Sequence, residues 1–242
     1  MNWRKWKYVR RAMTDNIWEQ IVTSKLSIST EIAQPKTNKS VIPDECLSAF
    51  APMFLDTETS GMILRRMPMN HVCQPDIIQI AMILDHADGY FSRSMIVNPS
   101  DINSDWELDP QAEAVHGISK EQILDEGIPS RAMLEEVKYI LSRSSVMACH
   151  NWGFDSQMLA IAFNRAGDTK SAMKILNGKR YCTMIASTNL CRLPGKFGNY
   201  KWPKLEELHQ FLFMESVQGA HDALNDTIAI RRCYHEMRRM GI

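Results

Sequence analysis

A short apolar run, Ala51-Pro52-Met53-Phe54-Leu55, ends on two carboxylates one residue apart, Asp56 and Glu58. This feature constrains the chain most. A run this short reads as a buried strand, and carboxylates at i and i+2 of an extended segment point to the same face. Open α/β sheets place their ligands at the carboxyl ends of strands, where this pair falls. Two like charges so close disfavour each other's ionisation, a conflict that a divalent cation relieves. On its own, the pair is equally a solvated strand end.

The pattern from residue 51 onward is α/β. Residues 76–86 and 90–97 flank the turn His86-Ala87-Asp88-Gly89 and read as a β-hairpin. Residues 130–142 have helical period with Ser130 as the N-cap, and Val146 to Cys149 reads as a second buried strand. Helices are expected over 153–166, 204–212 and 222–240. Strand, hairpin, helix, strand, helix, helix implies a mixed sheet covered by helices. Residues 1–48 stand apart. Residues 1–25 carry six basic side chains, Trp3, Trp6, Val9, Met13, Ile17 and Ile21 recur there at helical spacing, and a Ser-, Thr- and Pro-rich linker follows. The reading is therefore an N-terminal basic helical extension and linker, 1–48, and one domain, 49–242.

Two further acidic pieces follow the strands. In His150-Asn151-Trp152-Gly153-Phe154-Asp155, the aspartate falls in the first turn of a helix, where the dipole favours a carboxylate. In His221-Asp222-Ala223-Leu224-Asn225-Asp226, Asp222 is the expected N-cap, so His221 lies just outside the helix and Asp226 within its early turns. Each piece alone is ordinary helix electrostatics. Together, four acids arrive from strand and helix ends with a histidine beside the last. Hard oxygen ligands of this kind suit Mg²⁺ or Mn²⁺ rather than zinc. Two such ions about 4 Å apart stabilise both the attacking and the leaving oxygen of a phosphoryl displacement. A histidine, with its unperturbed pKa near neutrality, is the natural base.

Composition narrows the partners. The chain carries 28 basic and 28 acidic residues, so it is not a general polyanion-coating protein, and nucleic-acid contact must be local. Its 45% hydrophobic content excludes wholesale disorder. No run is long and apolar enough for a membrane span. Six cysteines with no CxxC pair read as free thiols of a reducing, cytoplasmic setting. The absence of GxxxxGK[ST] excludes a P-loop phosphotransferase.

The segments 55–61, 150–155 and 221–226 together resemble, in order, the three motifs of the DEDDh 3′–5′ exonucleases, the superfamily of the proofreading subunit of bacterial DNA polymerase III and of ribonuclease T. The resemblance spans about residues 50–240 and includes Val115-His116-Gly117-Ile118 and Trp202-Pro203-Lys204-Leu205. It implies a ribonuclease H-like fold: a mixed five-stranded sheet flanked by helices. It implies that Asp56, Glu58, Asp155 and Asp226 hold two divalent cations, Mg²⁺ or Mn²⁺, and that His221 deprotonates the attacking water. The 3′-terminal nucleotide would lie against Thr57, Thr59, Ser60, Gly61 and Met62. His116 and Asn151 match recurrent family positions, with structural hydrogen bonding as the competing role. Trp152 reads equally as a stacking platform or a core residue. The implied substrate is the 3′ end of nucleic acid, DNA favoured over RNA, with a polymerase or other replication or repair protein as an expected partner. An exoribonuclease, or a binding module of the same fold, are the alternatives.

Overall fold

The computed structural model of the protein describes residues 51–87 and 89–242. The expected helical extension and linker of residues 1–48 lie outside the described residues. Among the described residues, six strands form one sheet in the order β4-β3-β2-β1-β5-β6. They are β1 (Ala51–Thr59), β2 (Ile77–His86), β3 (Gly89–Asn98), β4 (Ile128–Pro129), β5 (Ser144–Cys149) and β6 (Arg180–Cys182). The meander β1-β2-β3 is antiparallel, while β5 runs parallel to β1, and β6 to β5. The sheet is mixed and flanked by helices as expected. The sixth strand is the two-residue β4, which pairs parallel with Val97 and Asn98 at the edge and is too short to carry a sequence pattern.

The helices are α1 (Pro110–His116), α2 (Lys120–Glu126), α3 (Ser130–Leu141), α4 (Trp152–Arg165), α5 (Thr169–Asn177), α6 (Thr183–Ala186), α7 (Thr188–Cys191), α8 (Leu205–Phe213) and α9 (Ala223–Arg239). Strand β2 is buried over nine of its ten residues, as a central strand covered on both faces must be. Met53 and Leu55 of β1 join a core with Met133 and Val137 of α3 and Met158, Leu159 and Phe163 of α4. Phe54 turns the other way and meets the Tyr234 ring of α9 edge-on, at 5.2 Å. This alternation continues along β1 and carries Asp56 and Glu58 to the α9 side.

Ser130 is not the N-cap of α3; it is the first helical residue, and Pro129 before it makes no side-chain cap. The cap comes from a distance: the Asp101 carboxylate accepts from the backbone N–H groups of Ser130 (2.8 Å) and Arg131 (3.0 Å). Those are unpaired donors of a helix N-terminus, and a carboxylate satisfies them best. No helix among the described residues is long and apolar enough to cross a membrane.

Candidate metal site

Asp56 and Glu58 close β1 on one face, and the register sets Glu58 opposite Gln79 of β2. A bulge between Glu58 and Thr59 ends the regular pairing there. Asp226 arrives from α9, four residues after its N-cap. Asp222 caps that helix as expected, accepting from the Asn225 N–H at 3.1 Å. One carboxylate oxygen from each of Asp56, Glu58 and Asp226 lies within 4.8 Å of the others.

Asp155 is buried in the first turn of α4. Its carboxylate is taken up by the Thr57 hydroxyl, which donates to it at 2.9 Å. It is not one of the three oxygens that converge, but it stands close enough for its charge to act on Asp56 and Glu58.

The electrostatics have one direction. Burial, then the charges of Asp155, Asp226 and Glu58, push the Asp56 carboxyl well above its usual range. Burial and the charges of Asp226 and Asp155 push Glu58 up to about 8. Burial raises Asp226 to about 6, against the backbone N–H and ring of His221. Asp155 is raised by burial, against the Thr57 hydroxyl bond that lowers it. No lysine or arginine among the described residues pairs with any of the four. Acids gathered without counter-charge are a place for cations.

His221 sits in the left-handed region (φ +68), and its backbone N–H donates to Asp226 Oδ2 at 3.2 Å. Gly219 is also left-handed (φ +62), and a Cβ there would come within 2.5 Å of the Asn225 amide, which donates to the Gly219 carbonyl. The turn thus needs its glycine and leaves the His221 side chain 53% exposed, with Nε2 4.0 Å from Glu206 Oε1 at the start of α8.

The residues expected to hold a terminal nucleotide are placed in two ways. Thr57, Thr59 and Ser60 are buried. Thr57 serves Asp155, the Thr59 hydroxyl donates to the Gly61 carbonyl (2.8 Å), and the Ser60 hydroxyl accepts from the Asp76 N–H (3.0 Å). Gly61 and Met62 leave the strand toward solvent, with Met62 73% exposed. The loop that follows is held by Gln74, whose side chain bonds the backbones of Leu64, Met67 and Pro68. Buried Arg165 of α4 pairs with Asp76 and donates to the carbonyls of His71 and Val72, both at 2.9 Å.

His116 ends α1. Its Nδ1 accepts from the Ile118 N–H (3.0 Å), its Nε2 is buried, and burial lowers its pKa against the Glu113 charge and the Thr59 backbone, which raise it. Asn151 is the exposed N-cap residue of α4, and its side chain makes no cap bond. Trp152 is buried in the core, so the stacking role is replaced by packing.

Sequence reading missed Gln79 and Glu206. Gln79 accepts from the Ala223 N–H (3.0 Å) and donates to Asp222 Oδ2 (3.1 Å), joining β2 to the helix that carries Asp226. Its signal was a lone amide inside the apolar run 77–84.

No protein-family profile and no curated protein matches the sequence. Solved structures do. A zinc-bound complex of E. coli exonuclease I with single-stranded DNA is similar at 19% identity and TM-score 0.60, over 78% of this chain and 40% of that one. E. coli exonuclease I bound to a dA16 oligonucleotide is similar at 18% identity and TM-score 0.62, over 79% and 41%. Its complex with a dT13 oligonucleotide gives 17% identity and TM-score 0.60, over 79% and 41%. The chain thus has the ribonuclease H-like fold and matches about two fifths of the length of those chains.

Proposed function

We propose that the protein is a metal-dependent 3′–5′ exonuclease that hydrolyses the terminal phosphodiester of single-stranded DNA and releases nucleoside monophosphates. The observation that carries this reading is the convergence of Asp56, Glu58 and Asp226 within 4.8 Å, with no lysine or arginine partner among the described residues. The donor set fits a divalent cation: three hard oxygens whose protons are held by burial and mutual repulsion, a cost that a cation removes. Asp56, Glu58 and Asp226 would hold Mg²⁺ or Mn²⁺ directly, with Asp155 completing the set for a second ion. When bound, the ions supply neutralisation of the phosphate charge and polarisation of its oxygens.

The chain's own residues do the rest. His221, exposed and outside the helix, takes the proton of the attacking water on a ring nitrogen, with Glu206 placed to stabilise the imidazolium that results. The bond that the His221 N–H donates to Asp226 Oδ2 keeps base and ligand in step. Met62, exposed beside β1, would pack against the terminal nucleotide. The likeness to exonuclease I in complex with oligonucleotides supports the choice of DNA.

The test is digestion of matched DNA and RNA oligomers labelled at the 5′ end, with Mg²⁺ or Mn²⁺ and with chelator. A ladder that shortens from the 3′ end only with metal is expected, faster on DNA. No shortening, or internal cuts in a circular single strand, would overturn the reading. Faster trimming of RNA would move the substrate to RNA.

A further inference from the structure

Between α7 and α8 the chain makes a loop, residues 192–204, that the site described above does not use. It reverses on an isolated antiparallel bridge between Pro194 and Tyr200. Gly195 N–H donates to the Asn199 carbonyl (2.8 Å), and Lys201 N–H to that of Leu193 (2.9 Å). At the tip, Phe197 takes a left-handed backbone conformation (φ +55), followed by Gly198 at φ +79. Phe197 is 98% exposed, Trp202 64% and Tyr200 46%. The Phe197 ring is almost wholly in water and adds nothing to the core, Trp202 and Tyr200 keep large exposed faces, and a bulky residue at positive φ is strained. Strain of this kind persists where the surrounding structure enforces it, and it clusters at ligand clamps and active sites.

Charge is interleaved with the rings. Residues 192–204 contain Arg192, Lys196, Lys201 and Lys204 and no acidic residue. Glu207 engages Lys201 at 2.6 Å, while Arg192 and Lys196 have no carboxylate partner among the described residues. In a chain of zero net charge, this is a local basic segment.

The loop is also fixed beside the acids. The Pro203 carbonyl accepts from His150 Nε2 at 3.0 Å, and the Thr183 hydroxyl lies 2.9 Å from the other ring nitrogen. His150 belongs to the β5–α4 junction that delivers Asp155. One residue beyond Lys204, α8 begins, and its Glu206 faces His221. The C-terminal end of the loop is therefore tied to the junction that carries Asp155 and leads into the helix whose Glu206 lies beside His221.

We propose that residues 192–204 form a stacking finger for single-stranded nucleic acid. Phe197, Tyr200 and Trp202 take bases of the strand that leads to the scissile phosphate, and Arg192 and Lys196 take its phosphates. Every base has a π-face, so such a platform tolerates any sequence, and alternating rings and cations match the base-phosphate repeat of a single strand. The placement along a substrate strand rests on the nuclease reading; binding itself does not.

The experiment measures binding and hydrolysis separately. Anisotropy of a 5′-labelled oligothymidylate is followed in chelator, so that nothing is cut. Phe197→Ala and Trp202→Ala should each weaken binding about tenfold. Phe197→Gly should weaken it equally and melt no lower than wild type, since glycine relieves the left-handed strain. Lys196→Ala should flatten the salt dependence by about one released ion. In parallel, the same variants are given Mn²⁺ and the p-nitrophenyl ester of thymidine 5′-monophosphate, too short to reach the finger; turnover should match wild type. Unchanged affinity in folded Phe197→Gly and Trp202→Ala would overturn the proposal. So would an equal loss of ester turnover and binding, which would make the loop a support of the acid site. A wild-type protein that binds through the rings but, once given Mn²⁺, hydrolyses neither the oligothymidylate nor the ester would remove the nuclease reading and leave the finger standing.

Discussion

Replacing Glu58 by glutamine should make the metal-free protein more stable, not less. Burial and the neighbouring carboxylates raise Glu58 from 4.5 to about 8. A raised acid contributes its full stability below the unfolded pKa and loses it as pH rises through the folded one. The folded state holds a proton at pH 7 that the unfolded state has given up, and by linkage the ionisable side chain costs about 3 kcal/mol there. Solvent reaching this half-buried group reduces that to about 1–2 kcal/mol. Glutamine keeps the shape and carries no such cost. For a domain of this size the gain is about 2–8 °C in Tm. The assay is thermal unfolding of both proteins in chelator at pH 7 and at pH 4.5, then at pH 7 with Mg²⁺. Glu58→Gln should melt higher at pH 7, and the difference should close at pH 4.5. Added Mg²⁺ should raise the wild type more than the variant, because it binds only an intact ligand set tightly. A variant that melts lower at pH 7 in chelator, or whose advantage grows on acidification, would refute the reasoning.

His221→Ala should lower turnover by about 10²–10⁴-fold with metal affinity kept, whereas Asp226→Asn should lose both; calorimetric metal titration and single-turnover rates separate them. Thr57→Val removes the hydroxyl bond that lowers the Asp155 pKa, so the acidic limb of the pH–rate profile should move to higher pH. Gln79→Leu strips partners from the Asp222 carboxylate and the Ala223 N–H and should cost about 1–3 kcal/mol in denaturant unfolding, with weaker metal binding alongside. A chain beginning at residue 49 should keep its rate on short oligonucleotides, as measured by nucleotide release.

The elements that sequence made visible are those with a long apolar period. The hairpin expected over 76–86 and 90–97 is Ile77–His86 and Gly89–Asn98, and the helix expected over 222–240 is Ala223–Arg239. Helix α1 has no buried residue, so it shows no apolar stripe. Its signals were local instead: the Asp109 cap, Pro110 in the first turn and left-handed Gly117 at the end. Strands β4 and β6 are two and three residues long and are defined by their partners, not by themselves. The cap of α3 could not be read locally, because it comes from Asp101, 29 residues before Ser130. In the site, the acids were readable because strand and helix ends position them. The engagement of Asp155 by Thr57 was not, since it spans 98 residues. The order of the loop after Gly61 likewise depends on Arg165, far along the chain.

How Asp226 faces β1 follows from two straps on one strand. Gln79 and Asp85 are six residues apart on β2, an even separation, so both side chains project from the same face, toward α9. At one end, Gln79 holds the cap residue Asp222 and the Ala223 N–H. At the other, the Asp85 carboxylate accepts from Arg231 Nε (2.5 Å) and pairs with His235 Nε2 (2.7 Å), residues one turn apart on the helix. One strap fixes where α9 begins and the other fixes its rotation, since only one face can offer both Arg231 and His235 to the same carboxylate. Asp226, one turn inside the first strap, is then held on the face toward β1. Because β2 pairs with β1 in the register that sets Gln79 against Glu58, the strap that positions Asp226 and the strand that positions Glu58 share one reference. The repulsion among the carboxylates is thus borne by polar ties on a covered strand, and the ligand set keeps its spacing before any cation arrives.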